Sequence, residues 1–281
     1  MKTTLRLRLI NFLLVTCSLA TIFLFSYCGS TSKIKISDLS HLTPDDIRLR
    51  VLRNYQKLRS FEGKARLIIE LPGSGNSGFS EIFINMPDSM LVKTEAVLGI
   101  DVGALFLNRR NFGAYAPREN ILYYGELEIL DLRDFLEIEL TTAELFEALT
   151  GLNQVLVGPG STLGYEKGLF LIKTPTTDGV WHYWVDPKKN VVTKSQLMDR
   201  AGEVLMKKEF DRLRRNKGFY MPQIIRLTRP KARERITVYY TRQKINERIQ
   251  TKYFHLKVAK NARRVYWGDI EKPKLDRRRI K

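Results

Sequence analysis

Between Gly63 and Leu71 the chain alternates: Ala65, Leu67, Ile69 and Leu71 fall on one face, Lys64, Arg66 and Glu70 on the other. This two-residue period belongs to a strand with one face buried, and it returns in short runs along most of the 281 residues. It predicts further strands at 79–85, 90–96, 102–107, 112–116 and 121–124. After an interruption, strands resume at 169–174, 180–186, 191–198, 204–213, 223–228, 235–242 and 254–258. Many short strands divided by turn residues such as Pro87-Asp88 and Asp199 to Gly202 imply a β sandwich or barrel. The Gly/Ser/Asn-rich residues 72–78 read as a loop.

Two segments carry helical spacing instead. Thr43 can cap, Pro44 suits the first helical position, and Asp45 and Asp46 favour the positive helix end. Ile47, Val51, Tyr55 and Leu58 then recur on one face, which predicts a helix ending near Arg59. A shorter helix is predicted from Thr142, capped by Thr141 or Thr142 and closed by Gly151.

The N-terminus narrows the location. Lys2, Arg6 and Arg8 precede a nearly continuous apolar run from Leu9 to Tyr27, and Cys28 follows. A basic stretch, an apolar run and a terminal cysteine resemble a bacterial lipoprotein signal, with Cys28 lipidated as the mature N-terminus. The alternative is an uncleaved anchor, since Tyr27 stands where such signals favour a small residue and the run approaches the ~20 residues that span a bilayer. Either way the bulk of the chain lies outside the cytoplasm, tethered to a membrane. Gly29 and Ser30 lack the acid that retains lipoproteins in an inner membrane, so the expected site is the outer membrane, facing the periplasm. The expected organisation is a signal at 1–27, the lipidated cysteine and a Ser-rich tether at 28–42, one β domain at 43–268 and a disordered basic tail at 269–281.

Charge is unevenly placed. From Lys188 onward there are 29 Lys/Arg against 9 Asp/Glu, while the first 187 residues carry 19 against 21, out of totals of 48 and 30. A basic half implies an anionic partner or a solvated basic surface. Export argues against nucleic acid and leaves anionic lipid or lipopolysaccharide head groups. The only cysteines, Cys17 and Cys28, lie in or beside the apolar run, so no disulfide framework and no catalytic thiolate is available to the domain.

The motifs of catalysis are missing. Gly73 to Gly78 formally matches GxGxxG, but a strand follows where a pyrophosphate site needs a helix N-terminus. His41, His182 and His255 have no metal-ligand spacing. There is no GxSxG, HExxH or P-loop, and no carboxylate pair stands out. Trp181, Tyr183 and Trp184 sit in one strand, where core or cavity lining is the favoured role over sugar stacking. A binding protein without cofactor or metal is therefore expected, rather than an enzyme. Val97, Leu98 and Gly99 follow a strand where a turn begins. Leu98 either folds into the core or protrudes, and a fully exposed leucine forgoes about 1.5–3 kcal/mol of burial.

In order along the chain, these pieces resemble the LolA/LolB superfamily, and most of all its membrane-anchored LolB branch. The matching pieces are Cys28, the helix before the first strand, the strand from Gly63 to Ile69, and the stretch from Ser89 to Gly99. Thr142 to Leu152 is similar to the family's short helix ending in Leu-Thr-Gly, and Met221-Pro222 also fits. Val97 replaces the proline of the family's Pro-Leu-Gly loop. The resemblance spans about residues 43–242. It implies an unclosed, curved antiparallel β half-barrel, mainly β with short helices covering an apolar cavity. It further implies a monomer that receives lipoprotein acyl chains from a periplasmic LolA-like carrier and inserts them into the outer membrane, with Leu98 as the inserting residue. Alternation assigns Leu67, Ile69, Leu71, Ile82, Ile84, Leu91 and Leu105 to the cavity lining, subject to register, since a one-residue slip exchanges the faces. The competing role is an outer-membrane scaffold or sensor for a partner protein or an anionic envelope polymer.

Overall fold

The computed structural model describes residues 41–95 and 101–270. Cys28, the tether before His41, the residues Val97, Leu98 and Gly99, and the tail after Ile270 lie outside them. The described residues from Leu42 to Ile270 form one compact unit.

Helix α1 (Pro44–Tyr55) starts as its sequence dictates. The Thr43 hydroxyl accepts from the Asp46 amide at 3.2 Å, and the Asp46 carboxylate accepts from the Thr43 amide at 2.8 Å, satisfying two otherwise orphan donors. Six strands follow as a meander: β1 (Ser60–Leu71), β2 (Ser74–Asn85), β3 (Ser89–Glu95), β4 (Asp101–Asn108), β5 (Asn111–Ala116) and β6 (Ile121–Glu126). Then come the single-turn helix α2 (Arg133–Leu136) and helix α3 (Thr142–Thr150), which repeats the reciprocal cap with Thr141 and Glu144. The second meander is β7 (Thr162–Glu166), β8 (Leu169–Thr176), β9 (Gly179–Asp186), β10 (Val191–Met198) and β11 (Val204–Asp211). A small hairpin of β12 (Arg214–Asn216) and β13 (Phe219–Met221) leads into β14 (Ile224–Arg229) and β15 (Glu234–Ile245), and β16 (Arg263–Tyr266) closes the order.

Among the described residues, 14 of these strands form one sheet in the order β16-β6-β5-β4-β3-β2-β1-β15-β14-β11-β10-β9-β8-β7. All neighbours are antiparallel except β16 and β6. The sheet is curved and does not close. A single open sheet replaces the sandwich or barrel expected from strand spacing alone, as the family resemblance implied.

Three local expectations are corrected. Residues 74–78 are not loop: the turn is Pro72-Gly73, and Ser74 to Gly78 pair with Leu71 to Leu67. Ladder bonds from β1 override the poor strand propensity of Gly, Ser and Asn. Residues 254–258 form no ladder. Phe254, Leu256 and Val258 are half-buried while His255 and Lys257 are exposed, because this extended segment lies on the sheet's face rather than at its edge. The strands β7 and β16 were invisible to apolar alternation. β7 is mostly exposed, and β16 begins with two exposed arginines.

Register defines the two faces. Phe61, Ala65, Leu67 and Ile69 align with Ile245, Tyr240, Val238 and Ile236 on one side. That row continues through Ile225, Leu227, Phe210 and Ser195 to Tyr183, Val185, Ile172 and Phe170. In the other direction it continues through Ile82, Ile84, Met90 and Leu107 to Phe112. This inner face is mainly apolar, and α3 packs on it over β14 and β15. The Tyr240 hydroxyl donates to the Leu149 carbonyl. Glu147 reaches the sheet through an ion pair with Lys208 at 2.5 Å, with side chains only 15% and 6% exposed.

That buried pair yields a stability test. Glu147→Ala leaves an uncompensated ammonium against the core and is expected to cost about 3–5 kcal/mol in chemical denaturation. Replacing both partners by methionine is expected to recover most of that loss, because the desolvation penalty is removed together with the attraction.

Candidate functional site

The inner face is covered from two sides. Over β8 to β15 the cover is α3, α1 and the chain that follows α3. Tyr55 of α1 and Phe146 of α3 meet at 5.8 Å between ring centroids. Asn54 donates to the carbonyls of Lys189 and Asn190 at 3.1 and 3.0 Å, fixing α1 to the β9–β10 turn. Gly151, at φ 69°, ends α3 in the left-handed region, and an added Cβ would lie 2.2 Å from Pro222. Past it, the Leu156 carbonyl accepts from Thr174 Oγ1 at 2.8 Å, and the Leu156 backbone amide donates to the Tyr183 phenol oxygen. Burial pushes the phenols of Tyr183 and Tyr240 well above their ordinary pKa, so both stay protonated. Over β5 and β6 the cover is α2. Phe135 contacts Phe112, Tyr123 and Trp267 at centroid distances of 5.9, 6.0 and 4.7 Å.

Between the two covers, β1 and β3 carry a strip of half-buried apolar side chains. Leu67, Ile69, Leu71 and Val92 are neither enclosed nor fully exposed. Leu67, Ile69 and Leu71 lie toward the end of the sheet where β1 finishes, called here the Leu71 end, while Val92 pairs with Ile82 and so is level with Gly63, nearer the start of β1. β3 and β4 also turn at that end: their last pair is Glu95 with Asp101, flanking the residues that include Leu98.

The predicted lining residues divide accordingly. Leu67, Ile69 and Leu71 form the half-buried strip, while Ile82, Ile84 and Leu105 share their face but are buried beneath it. Leu91 is a correction. It pairs with Phe83 and Phe106 on the outer face, and it is fully buried there. Met90, Leu91 and Val92 are all apolar, so alternation offered two phases, and the register with Ile82 and Ile84 selects Met90 and Val92 for the inner face. Val92 is the strip residue that sequence reasoning missed, and its cross-strand partner Leu105 was the available pointer to it.

The inner face also holds polar side chains. Ser195 lies between Tyr183 and Lys208 in register, with no exposure and no partner for its Oγ. Lys208 Nζ, paired with Glu147, stands 5.3 Å above the Trp181 ring. Trp181 and Tyr183 stack on this face with centroids 5.6 Å apart, whereas Trp184 takes the outer face beneath Lys194 at 4.3 Å. The carboxylates held below their ordinary range are Asp46, Glu126, Asp186, Asp199 and Glu247. They are dispersed over the surface, and each is stabilised as the anion by its own hydrogen bonds, so they assemble no acid–base pair. Among the described residues no group of three or more His, Cys, Asp or Glu is placed to hold a metal ion.

The sequence matches no family model and no curated relative. Solved structures do share the architecture. A DUF1329 family protein from Desulfovibrio piger aligns with 75% of this chain and 96% of its own, at a TM-score of 0.55 and 12% identity. A domain from Vibrio parahaemolyticus named for outer membrane lipoprotein sorting aligns with 75% of this chain and 97% of its own, at 0.54 and 10%. A LolA superfamily protein from Nitrosomonas europaea aligns with 76% and 98%, at 0.49 and 12%. The chain thus shares the fold of the first two structures: one curved, unclosed antiparallel sheet with a few short helices on its inner face. At these identities the likeness is one of fold, and none of the three singles out the LolB branch.

The face assignment is testable at one position. Leu91→Ala is expected to cost about 2–5 kcal/mol of stability in denaturant titration, as for a buried leucine. Binding of any apolar ligand on the inner face should be unchanged by it.

Proposed function

We propose that this chain is a binding protein of the cell envelope that takes up acyl chains of lipids or lipoproteins along the inner-face strip. The observation that carries the proposal is the half-buried apolar run of Leu67, Ile69 and Leu71 on β1, with half-buried Val92 on the same face of β3, between the two helical covers. A strip of this kind can exchange its partial contact with water for contact with a hydrocarbon chain. At about 0.8 kcal/mol per buried CH₂, a 16-carbon chain gains on the order of 10 kcal/mol by leaving water. A protein host is therefore needed wherever such a chain crosses an aqueous compartment.

The finer form of the proposal follows the sequence. Cys28 anchors the chain by lipid to the outer membrane, facing the periplasm. A LolA-like carrier delivers a lipoprotein, and the turn with Val97, Leu98 and Gly99 presses into the bilayer as the acyl chains leave. Two features support this order: the β3–β4 turn and the β1 residues Leu67, Ile69 and Leu71 lie at the same end of the sheet, and Phe79 and Val102 near that turn are 54% and 42% exposed. Among the described residues, no helix is long and apolar enough to cross a membrane. No step calls for covalent chemistry.

The test uses a form beginning at Gly29, which retains the compact unit. Bound lipid would be extracted for mass spectrometry, and a fluorescent fatty acid titrated against it. Saturable binding is expected, weakened at least about tenfold by Ile69→Asp, or about 1.4 kcal/mol, with the melting temperature as folding control. In cells, Leu98→Glu as the sole copy is expected to leave lipoproteins out of the outer membrane. Absence of both lipid and probe binding would assign the inner face to packing alone and favour a scaffold that binds a partner protein.

A further inference from the structure

Two clefts adjoin at the opposite end of the sheet, where β1 begins at Ser60. The first, of about 570 Å³, is lined by Lys57, Arg59 and Arg248 among mainly polar neighbours. The second, of about 560 Å³, is lined by Phe106, Phe254 and Leu256. Asn85 and Ile249 line both, so the polar and apolar compartments are continuous. Each volume falls in the range of small-molecule sites, about 300–1,000 Å³.

The charges around the first cleft are unbalanced. Lys57, Arg59 and Arg248 are exposed and form no ion pair. The nearest acid in the lining, Glu247, is already neutralised by Lys217 at 2.9 Å. In the second cleft, Asp88 is likewise taken by Arg109 at 2.8 Å. The backbone here is rigidly held. Asn246 Oδ1 accepts from the amides of Arg59 and Ser60 at 2.8 and 3.3 Å, its Nδ2 donates to the Lys57 carbonyl at 2.9 Å, and Ser60 Oγ donates to the Glu247 carbonyl at 2.6 Å. One asparagine thus ties the end of α1, the start of β1 and the chain after β15, fixing the segments that bear the three cations without ion pairs.

The apolar compartment is built by the chain after β15, which crosses the outer face. Tyr253 stacks on Phe83 with centroids 5.1 Å apart, and Leu256 sits where a Cβ at Gly113 would lie 2.8 Å from it. Phe254, Leu256 and Ile249 remain half-buried.

We infer that these joined clefts form a second ligand site, for an amphiphile with an anionic phosphate head and an apolar tail. The head meets Lys57, Arg59 and Arg248, and the tail lies against Ile249, Phe254 and Leu256. Guanidinium groups suit the head, since they pair with phosphate oxygens through two parallel hydrogen bonds. The site is separate from the inner-face strip and does not depend on it.

The probe is dihexanoyl phosphatidic acid below its micellar concentration, titrated calorimetrically against the form beginning at Gly29. Inorganic phosphate and dihexanoylglycerol supply head and tail alone. The expected result is saturable binding of the phosphatidic acid, at least tenfold tighter than either fragment. Arg59→Gln with Arg248→Gln should weaken it at least tenfold, Phe254→Ser severalfold, and Ile69→Asp not at all. The substituted arginines are exposed, so the melting temperature should hold. Three results would overturn the inference: no binding, equal binding of phosphate alone, or binding insensitive to the double arginine change. Loss with Ile69→Asp would also overturn it, by moving the ligand to the inner face.

Discussion

The ladder between β1 and β15 joins what would otherwise be two sheets. On one side of it lies the meander β1 to β6, on the other the strands β7 to β11 with β14 and β15. It runs from Phe61 paired with Ile245 to Glu70 paired with Arg235, with one irregularity at Lys64 and Ala65. Its register puts Leu67 and Ile69 beside Val238 and Ile236, so the apolar rows of both halves become one inner face. Slipping it by one residue would turn the strip of β1 outward while the strands beyond stayed in place. Continuity of the inner face, and with it the proposed acyl site, rests on this one pairing.

The sequence was most legible where one face is buried and the other wet. β10 was expected at the residues it occupies, and the capping residues of α1 and α3 announced both helices. Legibility failed for three physical reasons. Ser74 to Gly78 are held as strand by β1 and not by their own side chains. Residues 254–258 alternate because they lie on a face, and period alone does not separate that from a ladder. At Met90, Leu91 and Val92 both phases are apolar, so only the partners decide. The strip was partly legible in Leu67, Ile69 and Leu71, but the covers that leave it half-open depend on where α2 and α3 land.

The basic residues also acquire an address that composition could not provide. Of the turns at the Ser60 end, one carries Arg109 and Arg110, another Lys188 and Lys189, and a third Arg212. Those at the Leu71 end mix signs, with Asp178, Asp199 and Glu203 set against Arg200, Lys231 and Arg233, and Lys231 paired with both Asp199 and Glu203. Charge is therefore graded along the strand direction. Leu67, Ile69 and Leu71 and the β3–β4 turn lie away from the basic end, so the proposed membrane contact through that turn and the proposed anion contact through the cationic cleft would use opposite ends of the domain.

The position of β1 also governs when the sheet can exist. One of its partners, β2, follows at once, but the other is about 170 residues further on. Until β15 arrives, β1 is an open edge with Leu67 and Ile69 uncovered. Contacts of such long range close slowly, because the loop between them must be ordered first. A chain cut short before Glu234 would keep that edge permanently, and unpaired apolar edges recruit other chains. The strand that unifies the finished fold is thus also the one through which an unfinished chain would aggregate.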